Sequence, residues 1–215
     1  MKKTVIFDLD GTLLYTLEDL ADSTNFALEK YNHSKCTLSQ IRSYVGNGVA
    51  RLVERAIPSG KENPDFQNCL ETMKSHYKEN MYNKTRPFDG VLEMLDTLQK
   101  KHIRTAVVSN KFDSAVKELC GHYFGNRIEI AIGESLNVKK KPAPDSVLEV
   151  MRILNTPADE CVYVGDSEVD ILTAKNAGIK CISVDWGYKD RSFLAENGAK
   201  NIVSSCDELL AQILE

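Results

Sequence analysis

With 215 residues, 42% of them hydrophobic, the chain is long enough to bury a sizeable core as one or two domains. Its 27 basic and 31 acidic side chains leave a formal charge of −4, which excludes the strongly basic surface that nucleic-acid binding needs. No apolar stretch approaches the length of a membrane span, and the three apolar residues after Met1-Lys2-Lys3 are too few for a secretion signal. The six cysteines form no CxxC pair. The expectation is a cytoplasmic protein with reduced thiols and no membrane or nucleic-acid partner, monomeric or homodimeric.

The first element sets the rest. Val5, Ile6 and Phe7 read as a short buried strand, and it stops at Asp8-Leu9-Asp10-Gly11-Thr12. Two aspartates one residue apart thus sit at the carboxyl end of a buried strand, the edge where open α/β sheets bind ligands. One aspartate would serve as an Asx-turn. Two carboxylates this close resist ionising together unless a cation lies between them, and a hard divalent ion such as Mg²⁺ suits oxygen ligands.

Helical spacing follows. Leu17, Leu20, Ala21, Thr24, Ala27, Leu28 and Tyr31 recur at three- and four-residue intervals. Thr37-Leu38-Ser39-Gln40 has the form of a capping box that opens a second helix. Gly46-Asn47-Gly48 interrupts it, Val49, Leu52, Val53, Ala56 and Ile57 mark a third, and Phe66, Leu70, Met73, Tyr77 and Met81 a fourth. No strand is read between 16 and 82. Strands resume at 105–108, after a gap far longer than a crossover helix needs. The excess is therefore an inserted helical unit: domains at 1–15 with 84–215, and at 16–83.

The remaining apolar runs, 128–132, 161–164, 181–184 and a short one near Ile202, alternate with helical segments. The pattern predicts an α/β fold, a three-layered Rossmann-like parallel sheet, closed by a helix over 207–214. Each run ends in polar residues that meet at one edge: Asp8, then Ser109-Asn110, then Gly165-Asp166 with Asp170 four residues on. Lys139-Lys140-Lys141 lies between, with Pro142 and Pro144 stiffening the chain behind it. Ser109-Asn110 reads as a helix cap or as phosphate ligands. Asp170 can reach a metal through water, hold Lys141, or cap a helix.

In this order the four clusters resemble the sequence motifs of the haloacid dehalogenase superfamily. The resemblance spans the whole core. It implies a phosphatase in which Asp8 attacks phosphorus, Asp10 is the general acid and base, and Mg²⁺ is held by Asp8, Asp166 and the Asp10 carbonyl. It also implies that Lys141 binds phosphate with Thr12, Ser109 and Asn110, while Asp170 supports the site. The helical insertion resembles a cap domain. Gly46-Asn47-Gly48, Ala177-Gly178-Ile179 and Trp186-Gly187-Tyr188 are similar to the phosphoglycolate phosphatases of that superfamily. The substrate implied is a small phosphorylated metabolite, 2-phosphoglycolate first, with the glycine loop selecting it. A phosphosugar mutase, or a nucleotidase or pyrophosphatase of the superfamily, is the alternative. Tyr15-Thr16 departs from the Asp-Ser or Asn-Thr of many relatives.

Overall fold

The structure, a computed structural model, describes residues 2–135 and 138–215. Strand β1 (Thr4–Phe7) is buried along its whole length. The chain then leaves through β2 (Leu14–Tyr15) into four helices: α1 (Leu17–Lys30), α2 (Leu38–Tyr44), α3 (Val49–Ala56) and α4 (Phe66–Asn80). It returns through β3 (Arg86–Pro87), which pairs with β2. From there helix and strand alternate: α5 (Val91–Lys100), β4 (Arg104–Phe112), α6 (Asp113–Phe124), β5 (Ile130–Glu134), α7 (Asp145–Ile153), β6 (Cys161–Gly165), α8 (Glu168–Ala177), β7 (Lys180–Val184), α9 (Arg191–Glu196), β8 (Ile202–Val203) and α10 (Cys206–Leu214).

Six strands form one sheet in the order β5-β4-β1-β6-β7-β8, and every pairing is parallel. Parallel strands covered on both faces read as unbroken apolar runs, as these do. Ile6, Ala106, Val108, Cys161 and Tyr163 share a core with Val147, Val150 and Leu154 of the α7 region and Ala174 and Ala177 of α8. Alternation turns Val5, Phe7, Val107, Val162 and Val164 to the other face. The buried stripe of α5, Val91, Met94, Leu95 and Leu98, lies against β4 and α10.

Two compact units result: Met1–Leu14 with Pro87–Glu215, and Tyr15–Arg86. The junctions fall after Leu14 and after Arg86, where the sequence reading put them after 15 and after 83. The later return has a cause. Asp19, buried in the first turn of α1, accepts from the backbone amides of Lys84 and Thr85 and from the Thr85 hydroxyl, which ties 84–85 to the helical unit. Within that unit α1 packs on α4, and Thr37 and Gln40 form the expected capping box at α2.

One strand differs in a way that matters for the site. β4 runs four residues beyond the predicted end at 108. Its ladder with β5 breaks after Val108 and resumes at Phe112 opposite Glu134. Hydrophobicity stops at Ser109, but the backbone continues extended, so Ser109, Asn110 and Lys111 are buried inside the strand rather than standing after it.

Candidate functional site

The site is built at the carboxyl ends of β1, β4 and β6. Three consecutive amides, those of Thr12, Leu13 and Leu14, turn back onto the Leu9 carbonyl and fold the chain over directly after Asp8. Gly11 makes that turn at φ +86°. A Cβ there would lie 2.4 Å from Asp166 Oδ2, so both backbone angle and space require glycine. The Trp186 indole donates to the Thr12 carbonyl at 3.1 Å, and the Tyr188 amide to Asp166 Oδ2 at 2.7 Å. Residues 186–188 thus hold the turn and the third aspartate together.

Lys141 sits in the middle, and its side chain is 3% exposed. Its ammonium lies 2.8 Å from Asp8 Oδ1, an ion pair whose alignment falls outside hydrogen-bond geometry, and 2.8 Å from Asp170 Oδ1. It also donates to the Tyr163 hydroxyl at 3.0 Å. Asn110 fixes the backbone beneath: Asn110 Oδ1 accepts from the Lys141 amide at 2.8 Å, and Nδ2 donates to the Lys141 carbonyl at 3.1 Å. The expectation for Asn110 was phosphate binding; here its carboxamide is directed at the Lys141 peptide. Of the lysine run, Lys139 and Lys140 are exposed, and Lys140 pairs with Glu134.

Asp170 both holds Lys141 and serves the start of α8. Its Oδ2 accepts from the Ser167 amide at 3.1 Å and hydroxyl at 2.6 Å, and its Oδ1 faces Lys141 and Tyr163. Gly165 is what lets it approach, since a Cβ there would lie 2.3 Å from Asp170 Cγ. Asp8, Asp166 and Asp170 present oxygens that all lie within 4.8 Å of one another. Because Asp170 is engaged by Lys141, Tyr163 and Ser167, Asp8 and Asp166 are the carboxylates left to face a cation.

The electrostatics point the same way. Burial pushes the Asp8 carboxyl up to about 7; Lys141 pulls it down, and the charges of Asp170 and Asp10 push it up again. Burial, with Asp170 and Asp8 beside it, holds Asp166 well above the usual carboxylate range. Burial works against charge on Lys141 too, but Asp170 and Asp8 outweigh it and keep the ammonium well above its ordinary value. Lys141 therefore stays charged, while Asp8 and Asp166 need a further positive partner to ionise together. That oxygen donor set fits a hard divalent cation.

Thr12 and Ser109 are buried at the same edge. The Thr12 hydroxyl has no hydrogen-bond partner among the described residues, and the Ser109 hydroxyl accepts from the Lys111 amide at 3.2 Å. Sequence reasoning missed two groups. Lys111, its side chain 1% exposed, places its ammonium 2.9 and 3.2 Å from the two carboxylate oxygens of Asp10. Tyr163, inside the apolar run of β6, puts its hydroxyl 3.2 Å from the Val108 carbonyl and from Asp170. The visible signal for the first was a third polar residue directly after Ser109-Asn110. Gly46, Asn47 and Gly48 belong to the helical unit. They form the turn from α2 into α3, with φ +115° at Gly46 and φ +83° at Gly48.

The family model described as haloacid dehalogenase-like hydrolase matches residues 5–184. A phosphoglycolate phosphatase of Mesorhizobium japonicum is 33% identical over 215 residues, 98% of this chain and 94% of that protein. One from Pseudomonas fluorescens is 31% identical, covering 100% of this chain and 81% of the relative. A crystal structure from Lactobacillus delbrueckii subsp. bulgaricus, provisionally named phosphoglycolate phosphatase, superposes with a TM-score of 0.94 at 36% identity over 99% of both chains.

Proposed function

Since the chain belongs to the haloacid dehalogenase-like hydrolases and is a phosphoric monoester hydrolase, we propose that it hydrolyses 2-phosphoglycolate through an aspartyl phosphate with the help of Mg²⁺. One observation carries the mechanism. The two aspartates of β1's end are each matched to a different buried lysine, Asp8 to Lys141 and Asp10 to Lys111. The two aspartates thus stand beside different buried cations, one at each of the positions that the family's nucleophile and proton-transfer groups occupy.

Asp8 is the nucleophile. Its carboxylate oxygen bonds to phosphorus as the bond from phosphorus to the ester oxygen breaks. Asp10 gives its proton to the departing alkoxide. It then takes a proton from the water that attacks phosphorus, which releases inorganic phosphate and restores Asp8. Lys141 brings fixed positive charge to the phosphoryl oxygens, and the Thr12 and Ser109 hydroxyls can donate to them. Asn110 and Asp170 act by positioning Lys141. Mg²⁺ held by Asp8, Asp166 and the Asp10 carbonyl would supply charge that offsets the repulsion between phosphate and carboxylates. We propose that the Gly46-Asn47-Gly48 turn takes part in substrate choice. Six free thiols agree with a reducing, cytoplasmic location.

A phosphate-release screen over 2-phosphoglycolate, sugar phosphates, nucleotides and pyrophosphate, with and without Mg²⁺, tests the substrate. Asp8→Asn in the same screen tests the mechanism. The expected outcome is Mg²⁺-dependent release led by 2-phosphoglycolate and none from Asp8→Asn. Release by Asp8→Asn above background would refute the nucleophile.

A further inference from the structure

The site contains a second buried cation, Lys111, whose pairing with Asp10 leaves its bearing on the leaving group to be worked out. Lys111 is as inaccessible as Lys141, 1% against 3% of its side chain exposed, yet it lies at the other carboxylate. Lys141 belongs to Asp8 and so to the phosphoryl group. Lys111 belongs to Asp10, the group that must meet the departing oxygen. Asn110 keeps the two lysines in fixed relation, because it is the neighbour of Lys111 and clamps the Lys141 peptide. The arrangement is one ammonium for the transferred group and one for the leaving group.

Reach decides what Lys111 can hold. Proton transfer requires the ester oxygen within about 2.6–3.2 Å of an Asp10 oxygen. The Lys111 ammonium lies 2.9 Å from Oδ1 and 3.2 Å from Oδ2. The ester oxygen therefore comes within about 6 Å of that ammonium. In an ester of a 2-hydroxy acid the carboxylate is a single carbon away from this oxygen, close enough to extend to the ammonium when it points that way. A neutral alkyl leaving group presents nothing there. In so dry a place a charge-assisted contact counts for more than at the surface.

We propose that Lys111 is the residue that recognises the leaving group, binding the carboxylate of a phosphorylated small 2-hydroxy acid while it steadies Asp10. The proposal rests on the reading of 2-phosphoglycolate as substrate. It places the selecting charge in the sheet unit.

The experiment compares 2-phosphoglycolate with 2-hydroxyethyl phosphate, of the same length but without the carboxylate, in the wild type, Lys111→Gln, Lys111→Met and Lys111→Arg. Melting temperatures establish which variants are folded; two neutral replacements of similar shape keep the test alive should one fail. The wild type is expected to prefer the carboxylated ester. In the neutral variants kcat/KM for 2-phosphoglycolate should fall by about 10- to 100-fold more than for 2-hydroxyethyl phosphate, erasing the preference. Lys111→Arg should retain it at least in part. Equal losses on both substrates would show that Lys111 acts only through Asp10, overturning the proposal while leaving the substrate reading intact. A wild type with no preference for the carboxylate would refute the substrate reading itself, and the proposal with it.

Discussion

Replacing Asp8 with asparagine should make the metal-free protein more stable, by a margin that grows from about pH 4 and is complete above about pH 7. The Asp8 carboxyl is pushed from 3.8 up to about 7 in the fold, chiefly by burial. Between those two values the folded state holds this proton and the unfolded state does not. The folded wild type thus binds more protons, so its stability falls as pH rises through that window. The full effect of such a displacement is roughly 4 kcal/mol. Lys141, held above its ordinary value, keeps its charge throughout and adds no slope below the alkaline range. Asp8→Asn cannot titrate and is spared the loss. In excess chelator, the melting temperature of Asp8→Asn minus that of the wild type should therefore climb by about 10 °C from pH 4 to pH 8. Mg²⁺ should shrink the gap at pH 8 by binding the folded wild type. A difference that is flat with pH, or that falls, would refute the claim that Asp8 is forced to ionise against burial and its carboxylate neighbours.

Three further outcomes follow from the same geometry. Lys141→Ala should lose far more activity than Lys139→Ala or Lys140→Ala, by 100-fold or more on the order expected for a buried transition-state charge, because only Lys141 reaches Asp8; equal losses in kcat/KM across the three would contradict it. Asp166→Ala should raise the Mg²⁺ concentration needed for half-maximal activity sharply, and excess chelator should abolish wild-type turnover; an unchanged Mg²⁺ titration would show that Asp166 holds no metal. Gly48→Pro forces φ from +83° toward about −65° and removes an amide, so it should reduce hydrolysis of 2-phosphoglycolate more than that of p-nitrophenyl phosphate; parallel losses would reduce the loop to a plain turn.

The residues legible in the sequence are those whose chemistry contradicts their setting. Asp8, Asp10 and Asp166 stand out because carboxylates end apolar runs, and the helical insertion stands out because its length exceeds any crossover. Lys111 was not legible for a matching reason. A lysine after a strand reads as solvated, and its burial comes from the irregular extension of β4 past Val108, which apolar patterning cannot register. Tyr163 looked like core because its ring is core; only its hydroxyl belongs to the site. Asn110 was assigned to phosphate because the residue 31 positions away that occupies its carboxamide is known only once the chain is folded. The return of the insertion at Arg86 rather than at 83 depends similarly on the distant carboxylate of Asp19.

The central claim is that Asp8 carries the phosphoryl group. Acid-quenching the enzyme within one turnover of ³²P-labelled 2-phosphoglycolate, in the presence of Mg²⁺, tests it most directly. The account predicts acid-stable, hydroxylamine-labile label on the peptide that contains Asp8, absent from Asp8→Asn and forming only slowly in Asp10→Asn, which can neither protonate the leaving oxygen nor activate water. Label on another residue, or steady phosphate release with no phosphoenzyme at any quench time in either the wild type or Asp10→Asn, would contradict it.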